Sequence, residues 1–182
     1  MSLLAVQGGA TGTGTVTLLA PVTNTNRTLT LPDATGTVAV QGGTGVGKVL
    51  QVVSAFTTTN TSTTSSSYVA VTNLTASITP SSASSKIFVL VNMNLYGTAS
   101  ATEAAVTIYR GGADLTAGAG FADAYTGSSE LIMQTSMMYL DSPASTSSLT
   151  YAVYIKKTQG AGTLQTSLRG TTNTITLMEI AA

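Results

Sequence analysis

The amino-acid sequence predicts an all-β protein: an extended N-terminal β stalk followed by a C-terminal β-sandwich of the jelly-roll kind. The 182 residues include 35 threonines and 20 serines, and the branched threonine side chain favours strands over helices. Apolar and polar residues alternate with a period of two in many short segments, and no stretch has a helical period. Aromatic residues make up 5% and tryptophan is absent, so aliphatic side chains and methionine must form the core.

Residues 1–48 have the sequence pattern of a modular stalk. The pentapeptide AVQGG at residues 5–9 recurs at residues 39–43, and short alternating segments with turn signals lie between the copies. A region of this size buries too little apolar area to be stable alone, and cysteine and histidine are absent. We therefore expect the stalk to intertwine with other copies of the chain or to bind a partner. The glycine-rich residues 41–47 predict a hinge at its end.

Residues 49–182 predict the sandwich, which we call the head. About eight short strands without helices, separated by turn signals, are typical of a sandwich, and that number favours a jelly roll. The predicted strands cover residues 49–56, 68–71, 76–79, 86–96, 104–109, 131–140, 151–155 and 175–180.

The clearest strand is the segment at residues 86–96. Its odd-numbered positions from Ile87 to Leu95 are all apolar and share one face. The opposite face begins with Phe88 and Leu90 and continues with two asparagines, so we expect it to be buried at first and half-exposed later.

The densest apolar stretch lies in residues 131–140, which include Met133, Met137 and Met138. Because both faces of this segment carry apolar groups, one face is expected to meet the core, where methionine fills gaps well. The other face is a candidate contact with another subunit. Few lysines protect the predicted sheet edges, which also favours an oligomer.

Charge and composition exclude several classes of function. The formal net charge is zero, and Lys156-Lys157 is the one adjacent basic pair, so we expect no nucleic-acid ligand. Without cysteine and histidine, zinc sites built on these ligands and Ser-His or Cys-His nucleophile pairs are ruled out. No apolar run approaches 18 residues and no signal-peptide pattern occurs, so membrane insertion and secretory export are not expected.

The seven carboxylates are too scattered to predict a catalytic or metal site. Asp114 and Asp123 flank a glycine-rich segment and are the best candidate pair for sugar hydrolysis or calcium binding, but the usual Asp-x-Asp spacing is missing. Asp33 and Asp141 lie in proline-containing turns, where aspartate normally bonds its own backbone. We therefore expect no catalytic residue, no cofactor and no metal.

Residues 42–48 match Gly-x-x-x-x-Gly-Lys, the beginning of a phosphate-binding loop. Val49 stands where such a loop needs serine or threonine, and the following residues predict a strand instead of the required helix. This segment is better explained as a flexible linker.

The segment at residues 118–130 is the leading candidate for a recognition loop. It contains glycines, two aromatic rings and two acids, namely Phe121, Asp123, Tyr125 and Glu130. Tyrosine is common in recognition loops, and an aromatic ring face can stack on a sugar. The alternative is that both rings cover one end of the sandwich or pack against a neighbouring subunit.

Two parts of the sequence resemble bacteriophage virion proteins. Residues 11–43, with "GTVTLLAP" and "NRTLTLPDATGTV", are similar to short repeats of tail fibres. Residues 77–97, 140–157 and 174–182 resemble a C-terminal β module of phage fibre and structural proteins. This resemblance implies a non-enzymatic fibre protein of the virion, assembled in the host cytoplasm as a homotrimer.

In such a fibre, the head would contact a host cell-surface glycan or protein, and the chain would bind other virion proteins. The alternatives are a capsid head-decoration or adaptor protein and, from another class, a glycan-degrading tailspike domain.

Overall fold

A computed structural model describes residues 48–125, 127 and 130–182. The predicted stalk up to residue 47, its hinge and Asp33 lie outside these residues. The described chain forms eleven strands and one short 3-10 turn at Leu168–Gly170. The strands are β1 Val49–Thr57, β2 Ser62–Thr63, β3 Val69–Ile78, β4 Lys86–Gly97, β5 Glu103–Arg110, β6 Ala113–Asp114, β7 Ala122–Tyr125, β8 Leu131–Asp141, β9 Leu149–Gln159, β10 Leu164–Thr166 and β11 Asn173–Ile180.

The strands form two antiparallel sheets. In sheet A, β1 pairs with β11, β11 with β4, and β4 with β8, while the short β10 pairs with the far end of β4 and with β2. In sheet B, β3 pairs with β9 and β9 with β5, and the far side of β5 pairs with β6 and β7.

The order of the eight principal strands is that of a jelly roll. Sheet A has the order β1-β11-β4-β8 and sheet B the order β3-β9-β5-β7, so the chain crosses repeatedly between sheets instead of forming simple hairpins. The prediction of an all-β jelly-roll sandwich is therefore confirmed for the described residues.

The core lies between the two sheets and follows the period-two pattern of the sequence. On β4, the five apolar side chains from Ile87 to Leu95 at odd-numbered positions are at most 1% exposed. Alternate apolar residues of β11 lie beside them in sheet A, and alternate apolar residues of β5 and β9 in sheet B face them; all are equally buried. Burial of each such side chain stabilises the fold by about 1.5–3 kcal/mol.

Several details differ from the predicted elements, and the short strands β2, β6 and β10 were not predicted. The segments at residues 68–71 and 76–79 belong to one strand, β3, whose register shifts between Ala70 and Thr75. Asn73 lies in this interval with a φ of 60°, so the strand bulges instead of ending. In addition, the expected recognition loop at residues 118–130 contains a strand, β7, because Ala122–Tyr125 pairs with β5.

A partly buried ion pair connects the two sheets at one end of the core. Arg110, at the end of β5, donates to Asp141 at the end of β8, and the Tyr151 hydroxyl on β9 donates to the same carboxylate at 2.6 Å. Burial and this hydrogen bond raise the pKa of Tyr151. Asp141 thus bonds side chains of other strands, and the expectation that it bonds its own turn backbone is wrong.

The described residues contain no helix with the length and apolar character needed to cross a membrane.

Candidate functional site

The outer side of sheet A is the most unusual surface of the head. Eight large apolar side chains are exposed among the described residues, and seven of them lie on β1 or β8. They are Val49, Leu50, Val52 and Phe56 on β1 and Ile132, Met138 and Leu140 on β8. We call the outer side of β1, β11, β4 and β8 the apolar face.

Strand register joins the two exposed stripes across the sheet. Val52 pairs with Met178, Met178 with Phe88, and Phe88 with Leu140, which makes one row of four apolar side chains. In the next row, Leu90 lies beside Met138. The apolar face is therefore continuous, because cross-strand partners on one side of a sheet have neighbouring side chains.

Polar but uncharged residues occupy the middle of the strand length. Asn92 accepts a hydrogen bond from Gln134 at 2.9 Å, across the β4–β8 pair, and Ser136 lies beside it. Among the described residues, charged groups flank the face at its ends: Lys86 at one end, and Glu130 near Tyr96 at the other. A hydrogen bond with Glu130 raises the pKa of Tyr96.

The outer side of sheet B, in contrast, is largely covered by the chain itself. Tyr109 stacks on Tyr154 with ring centroids 3.9 Å apart, and the Lys156 ammonium lies 4.4 Å from the centre of the Tyr68 ring. Thr107 is fully buried there although it lies on the outer side of β5.

Asp114 organises the loop that covers this side of sheet B. Its carboxylate accepts hydrogen bonds from the Thr107 hydroxyl at 2.7 Å and from the backbone and hydroxyl of Thr116, both at 2.9 Å. The Gly118 N–H donates at the same distance to its second oxygen. Burial tends to raise the pKa of Asp114, but these hydrogen bonds outweigh it and lower the pKa. This carboxylate is therefore fully engaged in holding the loop.

The four residues of the predicted recognition loop do not form one patch. Phe121 packs against the core, with its ring centroid 5.0 Å from that of Tyr139. Asp123 and Tyr125 lie on the exposed side of β7, where Tyr125 is 60% exposed. Glu130 lies near Tyr96 of sheet A, on the other side of the sandwich. The alternative interpretation, in which an aromatic ring covers the sandwich, describes Phe121.

A small polar cluster surrounds Asp123 and includes residues that sequence analysis did not select. Glu103 on β5 lies beside β7 and accepts a hydrogen bond from Gln159 of β9. Partial burial, together with the neighbouring Glu103, raises the pKa of Asp123. The pairing of β5 with β7 brings these acids together, and no sequence spacing between positions 103 and 123 indicates it.

The other candidate chemical groups are structural or isolated. Asp114 and Asp123 do not join a larger cluster, since the described residues contain no group of three or more potential metal-binding side chains. The segment after Lys48 is strand β1, so the helix that a phosphate-binding loop requires is missing at that position.

No protein-family model matches the chain, and no curated protein matches it. Among solved structures it is similar to the VP2 protein of infectious bursal disease virus. A D431N mutant VP2 in T=1 particles gives a TM-score of 0.34 at 15% identity over 72% of this chain and 36% of that chain. A VP2 subviral particle gives a TM-score of 0.33 at 13% identity over 74% and 39%. The chain thus spans less than two-fifths of those chains, and its fold assignment rests on the strand pairing described above.

Proposed function

We propose that this chain is a non-enzymatic structural protein of a virion, specifically a bacteriophage fibre protein that assembles as a homotrimer. The observation that carries this proposal is the apolar face: a charge-poor domain with one bare apolar sheet surface requires a partner to cover it. Large exposed apolar surfaces of this kind are typical of proteins that assemble with other subunits. The sequence resemblance to phage fibre repeats and to their C-terminal β module supports the same class.

In the proposed assembly, the head presents exposed residues to the host. Tyr125 and Asp123 on β7 are the surface residues that remain from the predicted recognition loop. A tyrosine ring beside carboxylates provides stacking and hydrogen-bond acceptors, which suit a cell-surface glycan or protein.

Location in the particle tests the proposal directly. Purified virions are expected to contain the chain, and gold-labelled antibody against the head should mark fibres in electron micrographs. Label on the capsid surface would instead identify a head-decoration or adaptor protein. Absence of the chain from purified particles would refute a virion function altogether.

Two solution measurements test the remaining parts. Sedimentation equilibrium should give three times the chain mass of 18.3 kDa. Incubation with host polysaccharide should release no new reducing ends, whereas steady release of oligosaccharide would identify a glycan-degrading enzyme.

A further inference from the structure

We infer that the apolar face is a contact between copies of this chain. The inference rests on the proposed structural function and adds to it the surface that mediates assembly and the identity of what covers that surface. The occupant is a second copy. In a homotrimer, the exposed stripe on β1 of one copy would pack against the stripe on β8 of the next, because the same patch packed on itself gives a two-fold dimer.

The first argument is size. The strands β1, β11, β4 and β8 contain 9, 8, 12 and 11 residues. With a rise of about 3.3 Å per residue and a strand spacing of about 4.8 Å, their outer side covers about 630 Å². That is most of the roughly 800 Å² per partner that a stable protein interface buries, so the face can form the main part of a specific contact.

The second argument is chemical self-complementarity. The central rows carry apolar side chains and neutral amides or hydroxyls, so two copies can approach without juxtaposing like charges. Exposed Phe56 and Met138, at 70% and 65%, are the kinds of side chain enriched at protein interfaces. The central rows of the face carry no charge that would attract a nucleic acid or a charged surface.

The third argument is the place where the chain enters the head. The Lys48 carbonyl accepts a hydrogen bond from the Ala181 N–H at 2.7 Å, so the beginning of β1 is tied to the end of β11 in sheet A. Copies that pack through this sheet would bring their entry points into one assembly. Such an arrangement fits residues 1–48, which are too short to be stable as separate units.

Charge substitution in the full chain is the main test. Val52→Asp and Met138→Asp each place a carboxylate in the proposed contact, on opposite edge strands, and both side chains are already solvent-exposed in the single head. Because an unpaired charge is costly in an interface, each variant is expected to weaken self-association on the order of a hundredfold or more. Sedimentation velocity over a concentration series measures this change.

Tyr125→Asp is the matched control. Tyr125 is the one large exposed apolar residue described outside the face, and its exposure of 60% is similar to that of Val52 at 57%. This variant should assemble like the wild type. Far-UV circular dichroism of all three variants should retain the wild-type β spectrum, which separates loss of assembly from loss of folding.

Engineered cysteines provide a second measurement, because the natural chain contains none. After mild oxidation, Val52→Cys, Met138→Cys or a mixture of the two should give disulfide-linked chains on a denaturing gel. Ser148→Cys, in an exposed loop before β9, should not. Cross-linking restricted to Ser148→Cys would overturn the inference.

The outcomes distinguish the inference from the proposed function. If both aspartate variants assemble like the wild type, the apolar face is not the contact, although the chain can still be a virion protein. A wild-type chain that stays monomeric at micromolar concentration also overturns the inference, and would favour cover by another protein or by residues 1–47. Absence from purified virions concerns the proposed function alone.

Discussion

Glu179 shows how a single charged residue is accommodated in the core of this protein. Its side chain is fully buried on β11, and its two carboxylate oxygens accept hydrogen bonds from the Gln51 amide at 2.6 Å and from the backbone and hydroxyl of Ser81. Burial tends to raise the pKa of Glu179, but these hydrogen bonds dominate and lower the pKa from 4.5 to about 2. The carboxylate ties β1 and the turn after β3 to β11.

A pH-dependent loss of stability follows from this lowered pKa. Because the folded pKa lies below the unfolded one, the carboxylate stabilises the fold above pH 4.5, and that contribution is lost as the pH falls from about 4.5 to about 2. We expect Glu179→Gln to lower the free energy of unfolding at pH 7 by roughly 3 kcal/mol. The difference from wild type should shrink between pH 4.5 and pH 2 in urea titrations at fixed protein concentration. A difference that is the same at pH 7 and pH 2.5 would contradict this account.

Replacing Phe121 by alanine and replacing Tyr125 by alanine are expected to have different effects on stability and attachment. Phe121 packs on Tyr139 and the core, so its loss should reduce stability by about 2–3 kcal/mol. Tyr125 is exposed, so Tyr125→Ala should change stability by no more than about 0.5 kcal/mol and should weaken attachment to host cells. Urea unfolding measures the stability of both variants, and a cell-adsorption assay measures the attachment of Tyr125→Ala. Normal adsorption by Tyr125→Ala would place the recognition surface elsewhere.

At the scale of elements, two glycines that follow strands differ in how closely another part of the backbone approaches them. Gly160, after β9, has a φ of 88°, and a Cβ there would lie 2.4 Å from the carbonyl oxygen of Ala101. Gly111, after β5, has a φ of 56° with open space around it. Both positions favour glycine by conformation, but only Gly160 also faces the backbone of another connection.

The two glycines therefore provide a matched pair of substitutions. Gly111→Ala is expected to cost about 1 kcal/mol, since a left-handed conformation is strained for alanine. Gly160→Ala should cost roughly 3 kcal/mol or more, because the methyl group must also displace backbone atoms. Thermal unfolding of both variants at one protein concentration would rank the two substitutions by the stability that each one costs. Equal costs would mean that the connection near Ala101 moves aside freely.

At the scale of the whole molecule, assembly through the apolar face would make stability depend on protein concentration. If copies cover the apolar face, the folded state is favoured by mass action, so the melting temperature should rise with protein concentration. A hundredfold increase should raise it by roughly 5 °C or more for the full chain.

The Val52→Asp variant is the control for this effect. Its melting temperature should be nearly independent of concentration, because the charge prevents the association that links stability to protein concentration. A wild-type melting temperature that does not change over a hundredfold range would argue against assembly through any surface.

The all-β class, most of the long strands and the core face of β4 follow from the amino-acid sequence alone. On β4, the alternation of apolar residues predicts the buried side chains from Ile87 to Leu95, because side chains in a strand point alternately to the two faces. Phe88 and Leu90 on the other face, which were expected to be buried, are only half-buried. The same pattern predicted the two apolar sides of residues 131–140, of which Met137 is buried and Met138 exposed.

Which separate segments share a surface depends on how the strands pair in the folded head. Strand pairing joins Val52 to Leu140 through β11 and β4, and places Phe121 in the core while Tyr125 stays outside. Pairings between segments distant in sequence depend on how whole sheets pack. The alternation of apolar and polar residues within one segment does not indicate which other segment it pairs with. The apolar face and the ion pair at Asp141 therefore became visible only in the folded head, because each is formed by strands that the sequence keeps apart.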